Sequence, residues 1–152
     1  MAKTPRIDNA LIGAAGVHFV ASELSRRGLV ALPTTRNTRG IDVVVVDTIG
    51  RWYVNVQVKT SKKKARFWLL GKKYLEFSGR NNYYAFVRFL SDERRFEVFL
   101  ERADNVLRRA QRVQEERRRK GSKTLPSWHL PKDETQLTKV RQQWEAFGTS
   151  LG

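Results

Sequence analysis

The stretch Ile41-Asp-Val-Val-Val-Val-Asp47, followed by Arg51-Trp-Tyr-Val-Asn-Val-Gln-Val-Lys-Thr60, predicts two long neighbouring strands. The first is apolar on both faces, as is typical of a strand inside a sheet, and the second alternates polar and apolar residues. Thr48-Ile-Gly50 predicts the turn between them. If the turn centres between Ile49 and Gly50, the numbers of paired residues sum to about 99. The stretch therefore predicts an antiparallel hairpin with a defined register.

Three polar side chains meet at one end of this hairpin. Asp42 falls opposite Gln57, and directly opposed side chains on one face lie roughly 5 Å apart at Cβ. Gln57 and Lys59 are two residues apart on one strand, so they share a face. Taken singly, each has an ordinary structural role, as a turn aspartate, a surface glutamine or a strand-end lysine. Because all three interrupt valine-rich strands at the same place, they favour a functional site.

A fourth candidate lies on the first predicted helix, which covers residues 8–27 and ends before Gly28. Glu23 follows Val20 and Phe19 by three and four residues, so it falls inside the apolar stripe that should face the sheet. A carboxylate there must be paired, bound to a metal or placed at the rim of the core. Pairing with one of the two arginines that follow Glu23 is the structural alternative.

The remaining pattern predicts an α/β fold with a mixed central β-sheet. The order is a helix, three strands, a short helix and two strands, followed by C-terminal helices. We expect one domain, with a core over about 8–100 and a helical extension over about 101–152. The other predicted elements are a strand at Leu29–Leu32, a short helix over 72–78, a hairpin of Tyr83–Leu90 and Arg95–Leu100, and helices at Asn105–Lys120 and Glu134–Phe147, the last packing back on the domain.

The charge of the chain indicates a polyanionic partner. Its 30 basic and 15 acidic side chains give a formal charge of +15 and a pI near 10.8. Nucleic acid would relieve the resulting self-repulsion and release counterions. An acidic membrane surface is less favoured, because no segment combines a basic face with a strong apolar face. The absence of cysteine excludes thiolate chemistry, and we expect a cytoplasmic protein because the sequence has neither a signal peptide nor a membrane span.

Glu23 on the first helix, Gly40-Ile41-Asp42, and Val56-Gln57-Val58-Lys59 together resemble the PD-(D/E)XK nuclease superfamily over roughly residues 8–90. The resemblance implies a restriction-endonuclease-like core in which Asp42 binds metal, Lys59 is the catalytic lysine and Glu23 is an additional acid. Two positions depart from the pattern. Gly40-Ile41 replaces the usual proline, and Gln57 stands where an acid is usual. The Gln-x-Lys form is similar to that of some homing endonucleases and resolvase-like members.

The resemblance implies a Mg²⁺-dependent endodeoxyribonuclease, with Mn²⁺ as a substitute and Asp42, Gln57 and Glu23 as metal ligands. Double-stranded DNA is the expected partner. We expect a homodimer or higher homo-oligomer, because no separate recognition domain is evident and two sites would address two strands. The basic residues around the site are predicted to bind nucleic acid: Arg36, Arg39, Lys62, Lys63, Lys64 and Arg66.

Two other functions remain open at this point. A nuclease-like fold that binds nucleic acid without cutting it is favoured by Gln57. A small basic RNA-binding protein would explain the charge but not the grouping of Asp42, Gln57 and Lys59. Restriction, junction resolution, intron homing and repair also remain open, because sequence preference depends on loops that the pattern does not place.

Overall fold

A computed structural model describes residues 7–35, 40–62, 65–141, 144 and 147. The elements are α1 (Asn9–Ser25), β1 (Val30–Pro33), β2 (Val43–Val46), β3 (Tyr53–Lys62), β4 (Phe67–Leu69), a 3-10 helix (Tyr74–Phe77), β5 (Asn82–Leu90), β6 (Arg95–Arg102), α2 (Ala103–Arg119), β7 (Ser127–His129) and α3 (Glu134–Val140). The expected fold class, a mixed sheet with flanking helices, is confirmed, and β4 and β7 are additional to the predicted order. The predicted short helix is a 3-10 helix, and β7 lies between the two predicted C-terminal helices, where no strand was predicted.

The main sheet has five strands in the order β1-β2-β3-β5-β6. The β3–β5 pair is parallel and the other neighbours are antiparallel, so the sheet is mixed. In the β2–β3 hairpin, Val43 lies opposite Val56 and Val44 lies opposite Asn55. The predicted register is therefore confirmed. The ladder ends at Val43. The Asp42 N–H donates to Val56 O, the carbonyl of the residue opposite Val43, so the predicted pairing of Asp42 with Gln57 is displaced by about one residue.

The two faces of β3 differ in burial, since the α1 side is buried and the other side is only partly buried. Val54, Val56 and Val58 join a core with Val20 and Leu24 of α1. Alternate residues of β3 point to the opposite face, where α2 packs. Gln57 and Lys59 therefore share the α2 side of the sheet with their partners on β5, Tyr84 and Phe86.

Helix α1 runs antiparallel to β3. Its first turn is capped by Asp8, whose side chain accepts a hydrogen bond from the Ala10 N–H at 2.7 Å. Gly16 lies directly on β3, since a Cβ at this position would be 2.1 Å from Thr60 Oγ1. The chain leaves α1 for β1, whose Val30 is level with Val46 and hence with Tyr53. The C-terminal end of α1 is thus at the start of β3, away from Lys59.

The C-terminal segments cover both faces of the sheet. Helix α2 buries Val106, Leu107 and Ala110, while its last turn is basic. Trp144 and Phe147 are buried in the core on the α1 side, as expected for a segment that packs back on the domain. Strands β4 and β7 form a separate two-stranded sheet on the α2 side. Within the described part of the chain, no helix has the length and apolar character that crossing a bilayer requires.

Candidate functional site

Asp42 is fixed by backbone contacts on two sides. Its N–H donates to Val56 O at 2.9 Å, and its carbonyl accepts from Thr34 N–H at 2.9 Å. Its carboxylate oxygen Oδ2 accepts the Val58 N–H at 2.7 Å. Asn55 donates its N–H to Asn81 O, on the β5 side of β3, so the Val58 N–H points the other way, toward β2. The Asp42 side chain thus replaces a β2 backbone acceptor, which holds the carboxylate at the end of the hairpin.

The Asp42 carboxylate and the Lys59 ammonium attract each other in a partly buried environment. Burial raises the pKa of Asp42, and the Val58 N–H and the Lys59 charge oppose that rise. Burial also lowers the pKa of Lys59, and the charge of Asp42 opposes that change. Removing either side chain would leave the other partly desolvated charge uncompensated. No described residue donates a hydrogen bond to the second Asp42 oxygen, Oδ1, so this oxygen is available to a ligand.

Gln57 faces a cleft. It is partly buried and makes no side-chain hydrogen bond to any residue in the described ranges. The cleft has a volume of about 400 Å³ and is lined by Gly40, Gln57, Leu70, Gly71, Lys72, Lys73, Tyr74, Glu76 and Phe77. Gln57 therefore faces an open cleft whose charged residues are two lysines and one glutamate.

The wall of this cleft contains residues that the sequence pattern did not single out. Lys72, Lys73 and Glu76 are exposed and lie around the 3-10 helix. That helix is fixed by Tyr74, whose hydroxyl donates to Gln114 Oε1 on α2 at 2.8 Å. The only local signal was the pair of lysines in a predicted short helix. Their position beside Gln57 depends on a contact between residues 40 positions apart.

The structure does not bring Glu23 to this cluster. Its carboxylate accepts hydrogen bonds from Arg27 at 2.7 Å and Arg26 at 2.9 Å, and these contacts hold the pKa of Glu23 below its usual value. It lies near the end of α1, level with the start of β3, whereas Lys59 is six residues further along, or about 20 Å at strand rise. The arginine pairing weighed above as the structural alternative is what the structure contains.

The predicted nucleic-acid-binding residues are described only in part. Lys62, at the end of β3, donates from Nζ to the backbone carbonyl of Ile7. Arg66 is exposed, and its own carbonyl accepts from the Leu130 N–H at 2.9 Å. The other four predicted residues, Arg36, Arg39, Lys63 and Lys64, lie outside the described residues. Their role stays a prediction.

Comparison with known proteins identifies a fold and no family. No protein-family model matches the chain, and no curated protein sequence matches it. A solved structure of a bacterial homing endonuclease, I-Ssp6803I, superposes with a TM-score of 0.58 at 14% sequence identity, covering 93% of this chain and 92% of that chain. The chain shares the fold of a homing endonuclease. The likeness extends over nearly the full length, so it includes the C-terminal segments as well as the sheet.

Proposed function

We propose that this chain is a divalent-metal-dependent endonuclease that hydrolyses DNA phosphodiester bonds at a site formed by Asp42, Gln57 and Lys59. The observation that carries the proposal is that an anchored carboxylate, a partly desolvated amine and a carboxamide with no hydrogen-bond partner among the described residues lie at one end of the β2–β3 hairpin. The charge of +15 supports a nucleic-acid substrate. The shared fold with a homing endonuclease supports nuclease chemistry.

The donor set fits a single hard cation. Within the described residues, no group of three or more His, Cys, Asp and Glu side chains could hold a metal ion. Mg²⁺ needs only one or two carboxylates, because it keeps several waters and binds substrate phosphates. Asp42 Oδ1 and the Gln57 carbonyl oxygen would hold the ion. When bound, it would supply Lewis-acid polarisation of the phosphoryl oxygens.

Lys59 would act on the same phosphate. A phosphodiester repels nucleophiles through its own negative charge, so a fixed ammonium beside the non-bridging oxygens stabilises the charge that develops in the transition state. Burial lowers the pKa of Lys59, so the amine can also orient or deprotonate the attacking water. Lys72 and Lys73 on the cleft wall would hold the adjoining phosphates. A homodimer would place a second site against the second strand.

The proposal is tested by incubating the pure protein with duplex, branched and single-stranded DNA in the presence of Mg²⁺, Mn²⁺ or EDTA. We expect metal-dependent products with at least one substrate, and a loss of about 100-fold or more in Lys59→Ala. Lys132→Ala, which removes an exposed lysine from a different part of the chain, is the matched control and should cut like wild type. Equal cleavage by wild type and Lys59→Ala would overturn the assignment.

A nuclease-like module that binds nucleic acid without cutting it is the second candidate. It is favoured because Asp42 supplies the single carboxylate of the proposed site. Gln57 stands where an acid is usual, and Glu23 is held by two arginines. Tight, salt-sensitive binding of every DNA substrate with no products under either metal would favour this module over the enzyme.

A further inference from the structure

A second basic surface lies between α2 and α3. It is an open groove of about 560 Å³ lined by Glu101, Asn105, Arg108, Arg109, Arg112, Gln136, Lys139 and Val140. Four of these side chains are cationic and one is anionic. The opposite side of α2 packs into the core through Val106, Leu107 and Ala110, so the groove is formed by a helix that is fixed in place.

Most of the positive charge in this groove is uncompensated. Arg109 Nη1 is 3.7 Å from Glu101 Oε2, and this is the groove's one ion pair within the described residues. Arg108 donates to the neutral side chain of Asn105. Arg112 and Lys139 are exposed. Arg108 and Arg112 are four residues apart on one helix face, an arrangement in which like charges destabilise the free helix. An anion bound between them would remove that cost.

The groove is aligned with the candidate cleavage site. On the sheet, Gln57 lies beside Tyr84, and Tyr84 lies beside Glu101, so the three residues form one row across β3, β5 and β6. Two strand spacings, about 10 Å, separate the backbone of Gln57 from that of Glu101. Since register partners share a face, the groove and the cleft are on the same side of the sheet. Arg108 and Arg112, one turn apart, are separated by about 6 Å along α2.

We propose that the α2–α3 groove binds the phosphate backbone of the DNA, as an anchoring surface separate from the cleavage site. The proposal rests on the nucleic-acid partner of the proposed function but not on cleavage. Arg108 and Arg112 on one wall and Lys139 on the other would each contact a phosphate. Such contacts carry no sequence information and fix the position of the duplex on the protein.

The test is equilibrium binding of a 30-base-pair duplex in EDTA, measured by fluorescence anisotropy over a series of salt concentrations. The triple variant Arg108→Gln, Arg112→Gln, Lys139→Gln should bind at least tenfold more weakly at low salt. The slope of log K against log salt should fall in magnitude by about 2.7, since each lost phosphate contact removes about 0.9. The matched control, Arg118→Gln, Arg119→Gln, Lys120→Gln, removes the same charge from the exposed end of the same helix.

The control should change the slope by less than about 1. Equal changes in the two triple variants would overturn the proposal, because binding would then depend on net charge alone. An unchanged slope in the groove variant would also overturn it. Because binding is measured without metal, these outcomes are independent of whether the wild-type protein cuts DNA. Thermal unfolding of all three proteins verifies that each remains folded.

Discussion

Asp42 and Asp47 stand at the two ends of β2, and their surroundings differ. Asp47 accepts hydrogen bonds from the Arg51 N–H at 2.5 Å, from Arg51 Nε at 2.7 Å and from the Trp52 N–H at 3.4 Å. Among the residues that the structure describes, the carboxylate of Asp42 accepts one hydrogen bond, from the Val58 N–H, and its second oxygen stays available. The two aspartates flank the same run of four valines, so the strand itself does not explain the difference.

The pKa values of the two aspartates move in opposite directions. Burial pushes the pKa of Asp47 upward, but the side-chain and backbone hydrogen bonds from Arg51 outweigh it, and the pKa is lowered. At Asp42, burial dominates and the pKa is raised. An aspartate whose carboxylate accepts hydrogen bonds from donors of its own turn stabilises that turn. An aspartate that is desolvated and only partly satisfied has ligand capacity left for a cation and a substrate.

Substitutions of the two aspartates should differ most in their effect on the rate of DNA cleavage. Asp42→Asn should lower the rate of metal-dependent DNA cleavage by about 100-fold or more, because it removes the one charged ligand of the site. Asp47→Asn, the matched control on the same strand, should cut at close to the wild-type rate. Both rates are measured on a duplex under saturating Mg²⁺. A similar loss of cleavage in Asp42→Asn and Asp47→Asn would contradict a role in cleavage that belongs to Asp42 and not to Asp47.

Gln57→Glu should add a second carboxylate to the proposed metal site at the Asp42 end of β2. A charged ligand strengthens Mg²⁺ binding, so the Mg²⁺ concentration for half-maximal cleavage should fall about tenfold. Gln57→Ala should raise the Mg²⁺ concentration for half-maximal cleavage. The measurement is the cleavage rate over a Mg²⁺ titration at constant ionic strength. If neither variant shifts the titration, Gln57 does not contact the ion.

At the other end of the strand, Asp47→Asn should affect stability. We expect the midpoint of thermal unfolding at pH 7 to fall by roughly 2–4 °C, measured by circular dichroism. Because the folded pKa of Asp47 lies below its ordinary value of 3.8, its contribution is present above that value and disappears as the pH falls through the folded pKa. Wild type and variant should therefore converge in acid. Divergence in acid would mean that the charge of Asp47 is not what stabilises the turn.

The smallest expected effect is at Glu23. Glu23→Gln breaks the ion pairs of Glu23 with Arg26 and Arg27. Because Arg26 is mostly exposed and its pair is screened by water, the substitution should lower the free energy of unfolding by no more than about 0.5 kcal/mol. Cleavage should be unchanged within twofold. Urea unfolding measures the change in stability, and the duplex cleavage assay measures the change in activity. A loss of cleavage near that of Asp42→Asn would return Glu23 to the active site that the sequence resemblance implied.

The sequence predicted the centre of the sheet because its signals are local. The valine run, the turn at Gly50 and the alternation after it define a hairpin with one register, and that register brings Asp42 within about one residue of the position opposite Gln57. Strands β4 and β7 were missed because three residues are too few to establish a period.

The rest of the candidate site depends on contacts between distant parts of the chain. Helical periodicity indicated that Glu23 faces the sheet, but the direction of α1 along β3 determines which end of the sheet it reaches. The position of Lys72 and Lys73 depends on the bond between Tyr74 and Gln114. Such positions follow from the assembled fold, which the local pattern does not encode.

A crystal soaked in Mn²⁺ would show whether the carboxylate of Asp42 and the carbonyl of Gln57 hold a divalent cation. We expect an anomalous-scattering peak about 2 Å from Asp42 Oδ1 and within coordination distance of Gln57 Oε1. A peak at Asp47 or Glu23 instead, or no peak between Asp42 and Gln57 at a Mn²⁺ concentration that supports cleavage, would contradict it.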